Sequence, residues 1–150
     1  MPGNFRDVTK ILIATDGSDS SMRAAEYGVN VAKTLGAQIR VIHVIDAVVL
    51  EEARSLFKAG QHEDVELKLR QAGQRYVNYV LALAEKEAVK AEGSLAKGRP
   101  FDVIVRTAED SKVDLIIMGT HGRRGADRVL IGSVAERVIE YSLCPVLIVK

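Results

Sequence analysis

The sequence predicts an α/β fold, a parallel sheet with helices packed on both of its faces. Three observations carry that prediction. Short β-branched or apolar runs alternate with longer segments of helical periodicity, in the order β-α-β-α-β-α-β-α-β. The short runs are apolar almost without interruption, as strands covered on both faces must be. No Pro/Gly/Ser-rich linker, internal repeat or low-complexity tract divides the 150 residues, so residues 1–150 are expected to form a single domain. Each crossover has to bury an apolar stripe against the sheet, which makes neighbouring strands parallel and puts helices on both sides.

The first strand is read over Lys10-Ile11-Leu12-Ile13-Ala14-Thr15. It runs into Asp16-Gly17-Ser18-Asp19-Ser20-Ser21, a turn cluster rich in helix N-cap residues. A helix follows from Met22 to Leu35, with Ala25, Val29, Ala32 and Leu35 at helical spacing and Gly36 as its left-handed stop. Gln38 to Ile45 is β-branched and reads as the second strand. Asp46 to His62 is the least regular stretch, read as a short helix and a loop. A long helix then carries Val65, Leu69, Ala72, Tyr76, Val80 and Ala84 on one stripe, with Gly93 expected to close it. Ser94 to Lys97 is a weak third strand, required by the alternation. Pro100 suits the first turn of a helix showing Phe101, Ile104, Val105 and Ala108 on one face. Asp114 to Met118 is the fourth strand, ending in Gly119. Ser133 to Leu143 reads as the last helix, with Val134, Val138, Ile139 and Tyr141 expected to be buried, and Pro145 to Val149 as the fifth strand. Strand order is not encoded in periodicity. In sheets of this kind, however, ligands sit outside the carboxyl ends of the strands where the winding reverses, so the loops after Thr15 and Met118 are the places to look.

Composition narrows the classes of function. Lys plus Arg number 21 against 20 Asp plus Glu, a formal charge of +1 that supplies no global drive toward nucleic acid or a membrane surface. The single cysteine, Cys144, excludes a disulfide framework and any multi-cysteine metal site within one chain, and reads as a small apolar residue at a turn. His43, His62 and His121 show no paired spacing, so a zinc site is not expected, and His43 reads as a satisfied core histidine. No run approaches the ~18 apolar residues of a membrane span, and the N-terminus lacks a signal-peptide core. A cytoplasmic protein without membrane or nucleic-acid partners is the expectation.

The segment from Gly119 to Ser133 holds four glycines and three arginines between a buried strand and a helix start. Glycines let backbone N–H groups approach a ligand closely, and the helix start adds unpaired donors and partial positive charge. That is an anion site, with Arg123, Arg124 and Arg128 as auxiliary charge and phosphate as the natural occupant. A plainer reading stands beside it: Ser133-Val134-Ala135-Glu136 fits a helix capping box, so Gly132-Ser133 would serve only to start a helix. Likewise Asp16 suits either a nucleotide-bound metal or ribose, or a turn and cap. Neither G-x-x-x-x-G-K-[ST] nor a G-x-G-x-x-G opening the first helix is present.

Gly119-x-x-Gly122, nine residues, then Gly132-Ser133 resembles the G-2x-G-9x-G-(S/T) pattern of the ATP-binding universal stress proteins. The resemblance spans nearly the whole chain: Ile11 to Ser18, His43-Val44, Asp114 to Gly122, Gly132 to Val138 and Cys144 to Val149. It implies an open five-stranded parallel sheet in the order 3-2-1-4-5, with the loops at Asp16 and Gly119 brought together. It further implies ATP, or ADP or AMP, as ligand; Mg or Mn bound with the nucleotide is the accompanying expectation, with Asp16 at the strand end as its candidate ligand. Asp16 would lie near ribose and phosphates, beside Ala14 and Thr15, and Val44 would meet adenine through its backbone. Gly119, Gly122, Gly132 and Ser133 would hold the phosphates, with Met118, His121, Arg123 and Val134 lining the same loop. A homodimer through strand 145–149 is implied as well. The function expected is a nucleotide-dependent sensor or regulator in stress response, with ATP hydrolysis slow or absent because no base is evident. Two alternatives remain. One is an adenylating or ATP-hydrolysing enzyme, because Thr15-Asp16-Gly17-Ser18-Asp19-Ser20 distantly echoes the S-G-G-x-D-S loop of ATP-pyrophosphatases. The other is a dimerisation module without nucleotide.

Overall fold

The computed structural model describes residues 4–58, 60, 62–121 and 131–150, with only the backbone described for Arg6, His62 and Glu63. A 3-10 turn at Phe5–Asp7 leads into β1 (Lys10–Ala14), α1 (Asp19–Leu35), β2 (Gln38–Asp46), α2 (Ala47–Ser55) and α3 (His62–Lys86). The chain continues through β3 (Ala91–Gly98), α4 (Pro100–Asp110), β4 (Leu115–Gly119), α5 (Ser133–Tyr141) and β5 (Val146–Val149). The five strands form one all-parallel sheet in the order β3-β2-β1-β4-β5, as the resemblance implied.

Strand geometry sends alternate side chains of β1 to opposite faces. Ile11 and Ile13 meet Ala25, Val29, Val77 and Val80 of α1 and α3. Leu12 and Ala14 meet Ile104, Ala108, Ala135 and Val138 of α4 and α5. Ile11, Leu12 and Ile13 are fully buried, and each such side chain contributes about 1.5–3 kcal/mol relative to exposure. β1 pairs with β2 from Lys10↔Gln38 and with β4 from Ile11↔Leu115. The winding therefore reverses between β1 and β4, and the loops that follow these two strands leave the same end side by side.

Several boundaries differ from the sequence reading. α1 begins at Asp19, three residues early, because Ser18 takes the N-cap and accepts a hydrogen bond from the Ser21 amide at 3.3 Å. Gly36 stops α1 in the left-handed region, φ 67°, as expected. Asp46 ends β2 and caps α2 by accepting from the Val48 amide at 2.9 Å. Gly93 does not close α3. The helix ends at Lys86, and Ala88 makes the left-handed turn at φ 56°, whereas Gly93 lies inside β3. A Cβ at Gly93 would stand 3.1 Å from Leu81 Cδ1, so the glycine lets α3 lie down on the strand. Val80 and Ala84 are buried as expected, whereas Val65, Leu69, Ala72 and Tyr76 are half-buried. α5 presents Ala135 and Val138 to the core; Ile139 and Tyr141, expected to be buried, are 45% and 53% exposed. The helix also stops at Tyr141, short of Leu143.

Candidate functional site

At the carboxyl end of β1, Thr15 is buried and its amide donates to the Ile42 carbonyl at 3.0 Å. The Thr15 carbonyl lies 2.8 Å from His43 Nδ1, so the half-buried His43 is tied to the strand end, in keeping with a satisfied core histidine. Asp16 accepts the Ser18 amide on Oδ1 at 2.9 Å, closing a side-chain turn ahead of α1. Gly17 holds φ 78°, and a Cβ there would lie 2.5 Å from Cζ of Tyr76. The Tyr76 ring thus covers the turn and meets His43 edge-on, with centroids 5.4 Å apart.

β4 delivers Gly119, Thr120 and His121 to the same place. A Cβ on Gly119 would stand 2.6 Å from Ser20 C and 2.7 Å from Ser21 N, so the first turn of α1 packs directly on this glycine. Ser18 Oγ and Ser20 Oγ donate to the His121 carbonyl at 3.2 and 2.6 Å, and the His121 amide returns a bond to Ser20 Oγ at 3.3 Å. His121 Nδ1 lies 2.9 Å from Thr120 Oγ1. The Thr120 carbonyl accepts the Gly132 amide at 2.6 Å, and Gly132 is the N-cap of α5 with φ −70° and ψ 162°. The start of α5 is therefore fixed to the end of β4, one strand away from Asp16.

The capping-box reading of Ser133 does not hold. Gly132 takes the cap, its carbonyl accepts from the Glu136 amide at 2.9 Å, and Ser133 is displaced to the exposed first helical position. With glycine at the cap, no side chain among the described residues caps the first turn. The amides of a first turn have no partner within their own helix, and they concentrate partial positive charge there.

Of the residues singled out in the sequence, Thr15, Asp16, Gly119, His121, Gly132 and Ser133 converge at this end of the sheet. Ala14 and Met118 are buried, and Val44 and Val134 half-buried, in the core under α4 and α5. Gly122 and Arg123, with Arg124 and Arg128, lie outside the described residues. Sequence reasoning missed Tyr76, taken as plain core, and the role of Ser20 beyond capping. The only available signal was a hydroxyl-rich turn one strand away from a glycine-rich one. Among the described residues no group of three or more His, Cys, Asp or Glu could hold a metal, and no helix is long and apolar enough to cross a membrane. A groove of about 560 Å³ lies at the opposite end, lined by Thr9, Lys33, Gly36, Gln38, Glu87 and Lys90. The carboxyl termini of α1 and α3 converge there and disfavour an anion.

Fold and site together define a doubly wound α/β protein with its topological switch point between β1 and β4, the place where sheets of this kind hold their ligands. The Universal stress protein family model matches residues 8–150, and the chain belongs to that family. Universal stress protein MJ0531 of Methanocaldococcus jannaschii is 43% identical over 141 residues, covering 94% of this chain and 81% of the relative. Universal stress protein MJ0577 of the same organism is 35% identical over 154 residues, covering 94% of each. Its solved structure superposes with a TM-score of 0.82 at 30% identity, covering 95% of this chain and 96% of that one. The universal stress protein from Archaeoglobus fulgidus in complex with dAMP shares the fold, with a TM-score of 0.69 at 21% identity and coverage of 95% and 98%.

Proposed function

We propose that this chain is a cytoplasmic ATP-binding sensor of the universal stress protein family, using its sheet as one nucleotide-binding domain. The observation that carries the reading is the start of α5, capped by glycine and fixed to Thr120 beside the Asp16 turn. In this reading the phosphates meet the amides of Ser133 and Val134 and the glycine-rich segment before them, while Asp16 faces the ribose and any bound Mg or Mn. Adenine lies against Val44. The dAMP complex supports an adenine nucleotide as a ligand that this fold can host. ADP and AMP share the same recognising groups. Hydrolysis requires a positioned base or water-orienting group. Asp16 is engaged with the Ser18 amide and His121 Nδ1 lies against Thr120, which favours binding over turnover. Two copies are proposed to pair through β5.

The test is direct. Nucleotide released from the purified protein is identified by mass, and ATP, ADP and AMP are titrated by calorimetry with and without Mg²⁺. Gly122→Val is expected to abolish ATP binding with the thermal transition nearly unchanged, and equal affinity in that variant would remove the glycine segment from the site. Incubation with ATP and Mg²⁺ is expected to yield little ADP, AMP or pyrophosphate; rapid turnover would support the enzyme reading instead.

A further inference from the structure

The hydroxyl of Ser20 is buried and engaged twice by one residue: it donates to the His121 carbonyl at 2.6 Å and accepts the His121 amide at 3.3 Å. Capping α1 does not require this, because Ser18 already occupies the cap and serves the Ser21 amide. The backbone of Ser20 also lies against Gly119, at the distance where no side chain fits on that residue. Next to His121, Thr120 hands its carbonyl to Gly132, the residue on which the first turn of α5 begins. A continuous chain of bonds therefore runs from Ser20 through His121 and Thr120 to the cap of α5.

We propose that Ser20 is a positioning residue for phosphate binding. By holding the His121 backbone it sets where the first-turn amides of α5 stand relative to Asp16. This role rests on the nucleotide reading above and adds to it a side chain that touches no ligand. Removing the hydroxyl should leave Val44, the residue proposed to meet adenine, unaltered, because it stands on β2 and the chain of bonds from Ser20 through His121 and Thr120 to Gly132 does not pass through it. The loss should therefore fall on the phosphates and spare the nucleoside.

ATP and adenosine are titrated against the parent protein and Ser20→Ala, with thermal unfolding and amide hydrogen exchange followed in both. Loss of a backbone-anchoring bond is expected to weaken ATP about three- to tenfold. Adenosine affinity should be unchanged, and the Gly132 amide should exchange faster. Should Ser20→Ala fail to fold, Ser20→Cys fills the same place with a weaker hydrogen-bonding group and carries the same comparison. Equal ATP affinity in variant and parent overturns the proposal, and so does a matched loss of both ligands, which marks a merely structural role. A parent protein that binds neither ligand overturns the nucleotide reading and this role with it, an outcome distinct from one in which both proteins bind alike.

Discussion

A methyl group at position 119 has no place to go, because besides Ser20 Oγ, itself bonded to the His121 carbonyl, it meets backbone atoms of Ser20 and Ser21 that cannot swing aside. Gly119→Ala is expected to destabilise the protein by about 1–3 kcal/mol. A lower urea midpoint with an unchanged slope checks it; a midpoint equal to the parent's would mean that α1 moves aside easily. The same residue shows what single letters conceal. The glycine pattern marks Gly119 as part of a ligand loop, whereas the structure gives it a packing reason that no local spacing announces, since the approaching turn is about a hundred residues away in sequence. Ser133 is a second case. The letters Ser133 to Glu136 fit a capping box only with the cap on Ser133; the structure puts it one residue earlier, on Gly132, whose bond to Thr120 is invisible in sequence. Asp16, by contrast, reads true as a turn former, because the bond it makes is to an amide two residues on.

At the level of elements, Glu66 ties three together. Its carboxylate meets Arg54 of α2, Lys97 of β3 at 3.2 Å and Arg70 one turn along α3 at 3.5 Å. The hydrogen bond from Lys97, helped by the charges of Lys97, Arg54 and Arg70 and opposed by desolvation, holds the Glu66 pKa below its ordinary 4.5. A depressed carboxyl stabilises the fold while ionised. Its contribution is complete above pH 4.5 and drains away as pH falls through the lower folded value. Glu66→Gln should therefore flatten the acid limb of stability against pH, read as urea midpoints between about pH 6 and 3. An acid limb as steep as the parent's would show that other carboxylates carry it.

Asp114, just before β4, accepts the amides of Thr9 and Lys10 at 3.0 Å each and so fastens the start of β1. Asp114→Ala is expected to cost about 1–2 kcal/mol by removing both charge-assisted bonds, with Asp114→Asn milder; chemical denaturation of both variants measures it. Legibility at this scale followed burial. β1, β2 and β4 announced themselves because both faces are covered. β3 was half seen, since Glu92, Gly93 and Lys97 are poor strand formers and its eight residues are held by pairing with β2 from Ile39↔Ala91 to Asp46↔Gly98. The end of α3 was misplaced because an alanine rather than a glycine takes the left-handed turn.

For the whole molecule, alternation of elements was enough to give the class, while the order of strands came from the family likeness alone, because periodicity says which faces are covered and not which strand lies beside which. The order leaves β3 and β5 at the two margins. All four residues of β5 are aliphatic and half-buried, and Leu143 beside it is 86% exposed. Strands of that character invite pairing. A dimer mass by light scattering at micromolar concentration is the expected result, and a monomer mass across that range would dismiss pairing through β5. β3 is different, with Glu92 and Lys97 along it and two glycines among its eight residues. If β5 recruits a copy as proposed and β3 does not, the assembly cannot propagate. Joined about a twofold axis, such a pair would close at two, without the open-ended filaments that a doubly adhesive ribbon would make.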